Sequence, residues 1–253
     1  MIEPNMWHLR SGRGIRGHLP SGKNKPLDGD DRLIAVDLTK TEPKWYYRIG
    51  DPMGWGVPVE DLHVVKRFRW HAGTVIDFHN WNSYRFVSER FKSVVELFEP
   101  GLHQFFPVDF VGVRGALTAK MYVLVPNVAL RCFSKLSIGY YPIGWDKWGD
   151  HIWHLEESCR RSHRIYEDRP TKGHHLWVAV DVGNRPVMVS NELKNAMVRA
   201  GLTNLEFSAA ESRESMRWML PKLIKSRFAV DPPWQQFLDA EAEEFEQVSG
   251  EGS

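Results

Sequence analysis

The chain is 253 residues long and carries 33 Lys and Arg against 32 Asp and Glu, a formal net charge of +1. This balance gives no overall field that would attract nucleic acid, so we predict no direct nucleic-acid partner. The 42% hydrophobic and 26% charged residues exclude a disordered protein. Two cysteines, Cys132 and Cys159, are too few for a disulfide scaffold. No apolar run approaches a membrane span and the N-terminus lacks a signal-peptide pattern, so we predict a cytoplasmic protein without a membrane partner.

The first third of the chain predicts a small, mostly β module. Residues 10–31 are rich in Gly, Pro, Lys and Asp, a composition that we interpret as a long mobile arm. Apolar and β-branched segments after the arm predict strands over residues 33–38, 45–49, 64–70 and 75–78. This module would comprise residues 1–80.

A pattern of strand, serine, helix and glycine occurs twice, in residues 87–108 and 189–209. In each copy a serine can cap the N-terminus of a helix, and a carboxylate in the first turn interacts favourably with the helix dipole. Apolar residues at i, i+3, i+4 and i+7 form one buried stripe, and a glycine suits the left-handed residue that ends a helix. Two related strand–helix–strand units are therefore predicted. Aligning Ser88 with Ser190 places Phe91, Lys92, Val94, Val95 and Phe98 over Leu193, Lys194, Ala196, Met197 and Ala200.

The remaining segments complete an α+β prediction. Strands are predicted over residues 120–125, 128–133 and 176–181, residues 140–149 read as an irregular aromatic segment, and helices are predicted over 214–228 and 234–248. The fold class is α+β, with mixed, mostly antiparallel sheets, the two related units and a C-terminal helix. The predicted domains after the first module are an α+β domain of residues 81–230 and an acidic helix and tail of residues 231–253.

Residues 151–163 contain the best candidate metal ligands. If this segment were helical, His151 and His154 would share one face, and Cys159 and His163 would share another. The two pairs do not obviously lie on the same face, and their spacing matches no compact structural zinc module. We therefore predict no metal and no other cofactor.

The sequence also lacks a local frame for catalysis. It contains no Gly-x-Ser-x-Gly elbow and no Walker loop, and its paired carboxylates lie in charged faces where exposure is the default. We predict a protein that is not an enzyme and has no catalytic residues.

Candidate partner-binding residues lie in two aromatic or acidic segments. Trp145 and Trp148 flank Asp146 in a Gly-flanked loop that cannot easily bury both rings, so they could anchor a protein interface. The acidic residues Glu241, Glu243 and Glu244 near the C-terminus could complement a basic surface of a partner.

The doubled pattern resembles the bacterial immunity-11 family. The residues that carry the resemblance run from Val87-Ser88-Glu89 to Pro107-Val108 and from Val187-Met188-Val189-Ser190 to Glu206-Phe207, preceded by the strand at 176–180. Membership implies a non-enzymatic protein of interbacterial competition, encoded beside a polymorphic or contact-delivered toxin. Such a protein would bind the cognate toxin and neutralise it by blocking its active site or its access to substrate.

Two other functions remain open. The same scaffold could serve another protein-binding regulatory module. A zinc-dependent enzyme that uses the His and Cys residues of 151–163 is the third hypothesis.

Overall fold

The computed structural model describes residues 5–12, 25–28, 33–34, 46–47, 56–59, 64–70, 76–81, 84–112, 114–134, 137, 140–145, 151–155, 165–167, 171, 173–182 and 185–212. The strands of the first half are β1 (Met6–Ser11), β2 (Lys25–Pro26), β3 (Leu33–Ile34), β4 (Tyr46–Tyr47), β5 (Arg67–Arg69), β6 (Phe78–Trp81), β7 (Tyr84–Val87), β8 (Gln104–Val111) and β9 (Leu117–Val125). Those that follow are β10 (Ala129–Leu130), β11 (Tyr140–Trp145), β12 (His151–Leu155), β13 (Ile165–Tyr166), β14 (Leu176–Ala179), β15 (Val187–Ser190), β16 (Leu205–Ala209) and β17 (Glu211–Ser212). Helix α1 spans Glu89–Phe98 and helix α2 spans Asn191–Arg199.

Two large sheets organise these elements. The first has the order β2-β5-β8-β9-β7-β6 and the second has the order β10-β14-β15-β1-β16. Most pairs are antiparallel, with parallel pairs at β5–β8, β10–β14 and β13–β17. Two-stranded pairs join β3 to β4, β11 to β12 and β13 to β17. This arrangement confirms the predicted α+β class.

Local sequence signals determine where each helix begins and ends. The Ser88 side chain accepts a hydrogen bond from the N–H of Phe91, and the Ser190 side chain accepts one from Leu193, so both serines are N-caps. Gly101 and Gly201 adopt left-handed backbone angles, with φ of 67° and 63°. At these angles glycine avoids the steric cost that a side chain would bring. The two predicted strand–helix–strand units are confirmed.

The two helices share one hydrophobic core. Phe91 and Val95 of α1 and Leu193 and Met197 of α2 are fully buried in the same cluster, together with Leu124 of β9. Each such side chain contributes roughly 1.5–3 kcal/mol by leaving water. The opposite faces of the two large sheets carry separate apolar clusters. The shared core therefore joins the two units into one packed body.

One sequence prediction is wrong, and another lies mostly outside the described residues. Residues 140–145, predicted to be irregular, form β11, which pairs with β12 in an antiparallel hairpin. Of the predicted mobile arm of residues 10–31, residues 13–24 and 29–31 lie outside the described residues. Its start belongs to β1, and Lys25–Pro26 form β2, which pairs with β5.

The helices predicted over 214–228 and 234–248 lie outside the described residues. The division at residue 80 stays a prediction. Strand β5 precedes that point and β6 spans it, and both share a sheet with β7, β8 and β9, while β1 pairs with both β15 and β16.

Candidate partner-binding surface

The predicted partner-binding residues lie mostly outside the described part of the chain. Trp145 is the last residue of β11, where its backbone pairs with His151, so it does not lie in a loop as expected. Asp146 and Trp148 follow it in sequence, outside the described residues, as are Glu241, Glu243 and Glu244. The role of all six residues in partner binding stays a prediction.

The helical spacing on which the zinc hypothesis depends is absent from the described part of residues 151–163. His151 and His154 belong to strand β12, while Cys159 and His163 lie outside the described residues. Within the described ranges, no group of three or more His, Cys, Asp or Glu side chains is placed to hold a metal ion.

A lysine–aromatic cluster lies beside the N-terminal half of α1. The Lys92 Nζ atom lies 4.6 Å from the ring centroid of Tyr122 and 5.9 Å from that of Phe105, distances at which a cation is attracted to an aromatic face. The Tyr122 hydroxyl donates a hydrogen bond to the Glu89 carboxylate, and this bond raises the pKa of Tyr122 above its ordinary value. These residues form the first cluster, which fixes the start of α1 on the sheet while the rings stay half-buried.

A second cluster repeats this arrangement beside α2. The Lys194 Nζ atom lies 3.6 Å from the ring centroid of Trp7, and Trp7 Nε1 donates a 3.1 Å hydrogen bond to Asn191 Oδ1. Phe207, like Phe105 in the first cluster, is partly buried and packs against the shared core. The second cluster is thus Trp7, Asn191, Lys194 and Phe207. Tyr122 comes from β9, which lies between β7 and β8, and Trp7 comes from β1, which lies between β15 and β16. In both clusters the lysine comes from the first turn of the helix.

Exposed apolar side chains lie near the C-terminal ends of the helices. Leu97 of α1 is 81% exposed and Val198 of α2 is 58% exposed. Single exposed apolar residues are common on protein surfaces and do not alone define an interface. Half-exposed aromatic rings with a polar end are more informative, since Tyr and Trp are enriched at protein interfaces.

A buried carboxylate, Asp77, connects the first unit to the second. Its oxygens accept hydrogen bonds from Ser88 Oγ at 2.5 Å and from the Thr203 N–H and hydroxyl at 2.7 and 2.9 Å. Arg90 lies 3.5 Å away and also donates to the carbonyl of Ala200 at the end of α2. Burial raises the pKa of Asp77, but the hydrogen bonds from Ser88 and Thr203 and the Arg90 charge leave it lower than usual. Asp77 is therefore an ionised structural link.

Glu99 makes the reciprocal link from the end of α1. Its oxygens accept hydrogen bonds from the backbone N–H groups of His175 at 2.8 Å and Leu176 at 2.9 Å. They also accept one from His103 Nε2 at 2.8 Å. Because His103 Nδ1 accepts a hydrogen bond from the Asn127 N–H, Nε2 carries the proton that is donated to Glu99.

One pair resembles a nucleophile and its base. His175 Nδ1 lies 2.9 Å from Ser190 Oγ, a distance compatible with proton transfer. Ser190 is buried, however, and its oxygen already accepts the hydrogen bond that caps α2. Ser88 has the same position in the first unit, with Asp77 in place of the histidine. Ser190 therefore serves as a helix cap, and His175 is the partner of its hydroxyl group. The turn-like sequence around His174 and His175 did not reveal this contact.

The geometry defines an α+β protein of two linked helix units with half-exposed lysine–aromatic clusters. A family model of Imm11, described as an immunity protein family, matches residues 54–212. The chain therefore belongs to the Imm11 immunity protein family, and the resemblance identified from its sequence is confirmed. No curated protein gives a significant match. Within the described residues, neither helix is long and apolar enough to cross a membrane.

Proposed function

We propose that the protein binds a cognate interbacterial toxin in the cytoplasm of the producing cell and neutralises it by protein–protein contact. The observation that carries this proposal is the Imm11 family match over residues 54–212, since an immunity protein needs a toxin to act on. Inhibition by contact requires no catalytic step, and the Ser190–His175 pair, which most resembles a catalytic dyad, is a helix cap.

Two surfaces are proposed to contact the toxin. One comprises Trp145 at the end of β11 and Asp146 and Trp148, which follow it in sequence. The two tryptophans are large aromatic side chains of the kind that dominate binding energy when an interface desolvates them. The other is the first cluster, in which Lys92 and Tyr122 offer a cation and a ring at one half-exposed place.

The acidic C-terminal residues Glu241, Glu243 and Glu244 are proposed to complement a basic region of the toxin. Opposite charges across an interface raise the association rate more than they raise the affinity, and salt weakens the effect. Deleting residues 239–253 is expected to slow association at low salt and to abolish neutralisation. A truncated protein that protects cells fully would refute this part of the proposal.

Co-purification with the neighbouring gene's product tests the proposal. The toxin domain encoded beside this protein is expressed with an affinity tag and an inactivating substitution, together with the untagged protein. We expect a stoichiometric complex with a Kd of nanomolar order, as in natural antibody–antigen complexes. A toxin domain from an unrelated system is the control. If the two toxins retain equal traces of the protein, the proposal is wrong.

A further inference from the structure

The two units correspond beyond the helices. In each unit a strand (β6 or β14) pairs with the next (β7 or β15), which leads through a capping serine into the helix. The serine N–H donates to the carbonyl of the residue that precedes the first of these strands: Ser88 to Asp77 at 3.0 Å and Ser190 to His175 at 2.9 Å. The cap of each helix is therefore built in the same way in both units.

The correspondence continues toward the N-terminus of each unit. Strand β5 runs parallel to β8, with Phe68 opposite Phe110, and β13 runs parallel to β17, with Tyr166 opposite Ser212. On the other side of β5, Pro26 pairs with Phe68 in antiparallel orientation, and Phe133 forms an antiparallel bridge to Tyr166. A hairpin lies between these segments in both units, β3–β4 in one and β11–β12 in the other.

The central strands of the two sets also correspond. Strand β9 lies between β7 and β8, with Tyr122 opposite Val87 and Pro107, and β1 lies between β15 and β16, with Trp7 opposite Val189 and Ala209. Their sequences align as Met6-Trp7-His8-Leu9 and Met121-Tyr122-Val123-Leu124. Both leucines enter the shared core, and the two methionines enter the outer clusters of their respective sheets.

The order along the chain reveals how the repeats are connected. Strand β1 precedes β2 and the rest of the first unit, and β9 precedes β10 and the rest of the second unit. A repeat that begins with its central strand therefore accounts for the strands and the helix that the two units share. Strand β10, which pairs with β14 at the edge of the second sheet, has no counterpart among the described strands of the first unit. Each central strand, however, pairs within the sheet of the other repeat. We infer that the chain is a tandem pair of repeats, residues 6–111 and 117–212, that exchange their first strands.

This exchange defines a peptide-binding site between β15 and β16. Backbone bonds hold β1 on both sides: the Asn191 N–H donates to Asn5 at 3.0 Å, and the Ala210 N–H donates to Met6 at 3.1 Å. Gly12 donates to the carbonyl of Asn204 at 2.8 Å at the far end. The site thus takes an extended peptide by strand addition, with apolar residues required at the positions of Met6 and Leu9. Either first strand meets that requirement.

Strand replacement in the full chain tests the inference. A protease site is introduced between residues 12 and 25 and cleaved after folding, so that residues 5–12 are held without a covalent link. A fluorescent peptide of residues 5–12 is then added, both directly and during refolding from urea. We expect it to enter the site, which is measured as a rise in fluorescence polarisation and as co-elution with the protein.

A competing peptide tests whether the two strands are equivalent. The peptide of residues 120–126 should displace the labelled peptide, and its double variant Met121→Asp/Leu124→Asp should compete at least tenfold less well. If the labelled peptide fails to enter even on refolding, the binding site is refuted. If residues 120–126 compete no better than the double variant, the repeat assignment is refuted. Neither result depends on toxin binding.

Discussion

Asp77 and Thr203, which are 126 positions apart in sequence, are joined by two hydrogen bonds, from the Thr203 N–H and from its hydroxyl. Asp77 is the residue before β6, and Thr203 lies in the turn after α2. The reciprocal contact runs from Glu99, after α1, to the N–H of His175, before β14. The two repeats are thus held together by polar links at both ends of the helix pair, in addition to the core between them.

Replacing Asp77 is expected to destabilise the protein strongly. Asp77→Ala leaves the buried Ser88 hydroxyl and the part-buried Thr203 N–H without their acceptor, at a cost of about 2–4 kcal/mol, while the exposed Arg90 keeps its bond to the Ala200 carbonyl. Urea unfolding followed by circular dichroism measures the change. The exposed Glu206→Ala substitution is the matched control and should change the free energy of unfolding by less than about 0.5 kcal/mol. Equal effects of the two substitutions would contradict the role assigned to Asp77.

Glu99 should make stability depend on pH in the acid range. Burial raises the pKa of Glu99, but hydrogen bonds from His103, His175 and Leu176 leave it below its ordinary value of 4.5. A lowered folded-state pKa contributes stability that is present above the unfolded value and is lost as pH falls below it. Glu99→Gln should therefore flatten the loss of stability below about pH 4.5. Parallel stability curves for the variant and the parent would show that Glu99 contributes nothing to this loss.

The raised pKa of Asp181 predicts the opposite dependence of stability on pH. Burial raises its pKa from 3.8 to about 6, although the Phe133 N–H donates to one of its oxygens. The stabilising effect of the protonated form is fully present below about pH 4 and is lost as pH rises through about 6. Asp181→Asn should stabilise the protein at pH 8 by up to roughly 3 kcal/mol and have little effect at pH 4. A variant that is less stable than the parent at pH 8 would contradict this expectation.

Trp145 and Trp148 are expected to contribute to toxin binding and not to the stability of the fold. The double substitution Trp145→Ala/Trp148→Ala should weaken toxin binding by at least about 2 kcal/mol, roughly 30-fold in Kd, with a nearly unchanged Tm. Isothermal titration with the inactivated toxin domain measures the binding. Arg114→Ala, in the exposed turn between β8 and β9, is the control that should alter neither quantity. A large fall in Tm for the tryptophan variant would instead assign these rings to the core.

The helix units could be predicted because their signals are local. The serine cap, the apolar stripe and the closing glycine all lie within about fifteen residues, and each follows from backbone and side-chain chemistry alone. The place of β1 could not be predicted this way. It pairs with strands about 180 or more positions later, and Met6, Trp7 and Leu9 bear apolar atoms on both faces, so no alternation indicates a half-exposed strand.

The hairpin and the clusters were missed for similar reasons. Strand β11 contains Pro142 and Gly144, residues typical of turns, and its register shifts between them, so the β pattern is interrupted at that point. The alignment of the two units placed Lys92 over Lys194 in sequence, but the aromatic partners of these lysines come from β9 and β1. Only the register of the sheets brings Tyr122 and Trp7 to them.

Growth of toxin-expressing cells tests the central proposal most directly. A susceptible bacterium expresses the active neighbouring toxin from an inducible promoter, with or without this protein, and colony counts are compared after induction. The proposal predicts full recovery of growth with this protein and no recovery with an immunity protein from an unrelated toxin pair. Cells that die equally in both cases, although the protein is folded and abundant, would contradict the proposal that it neutralises this toxin.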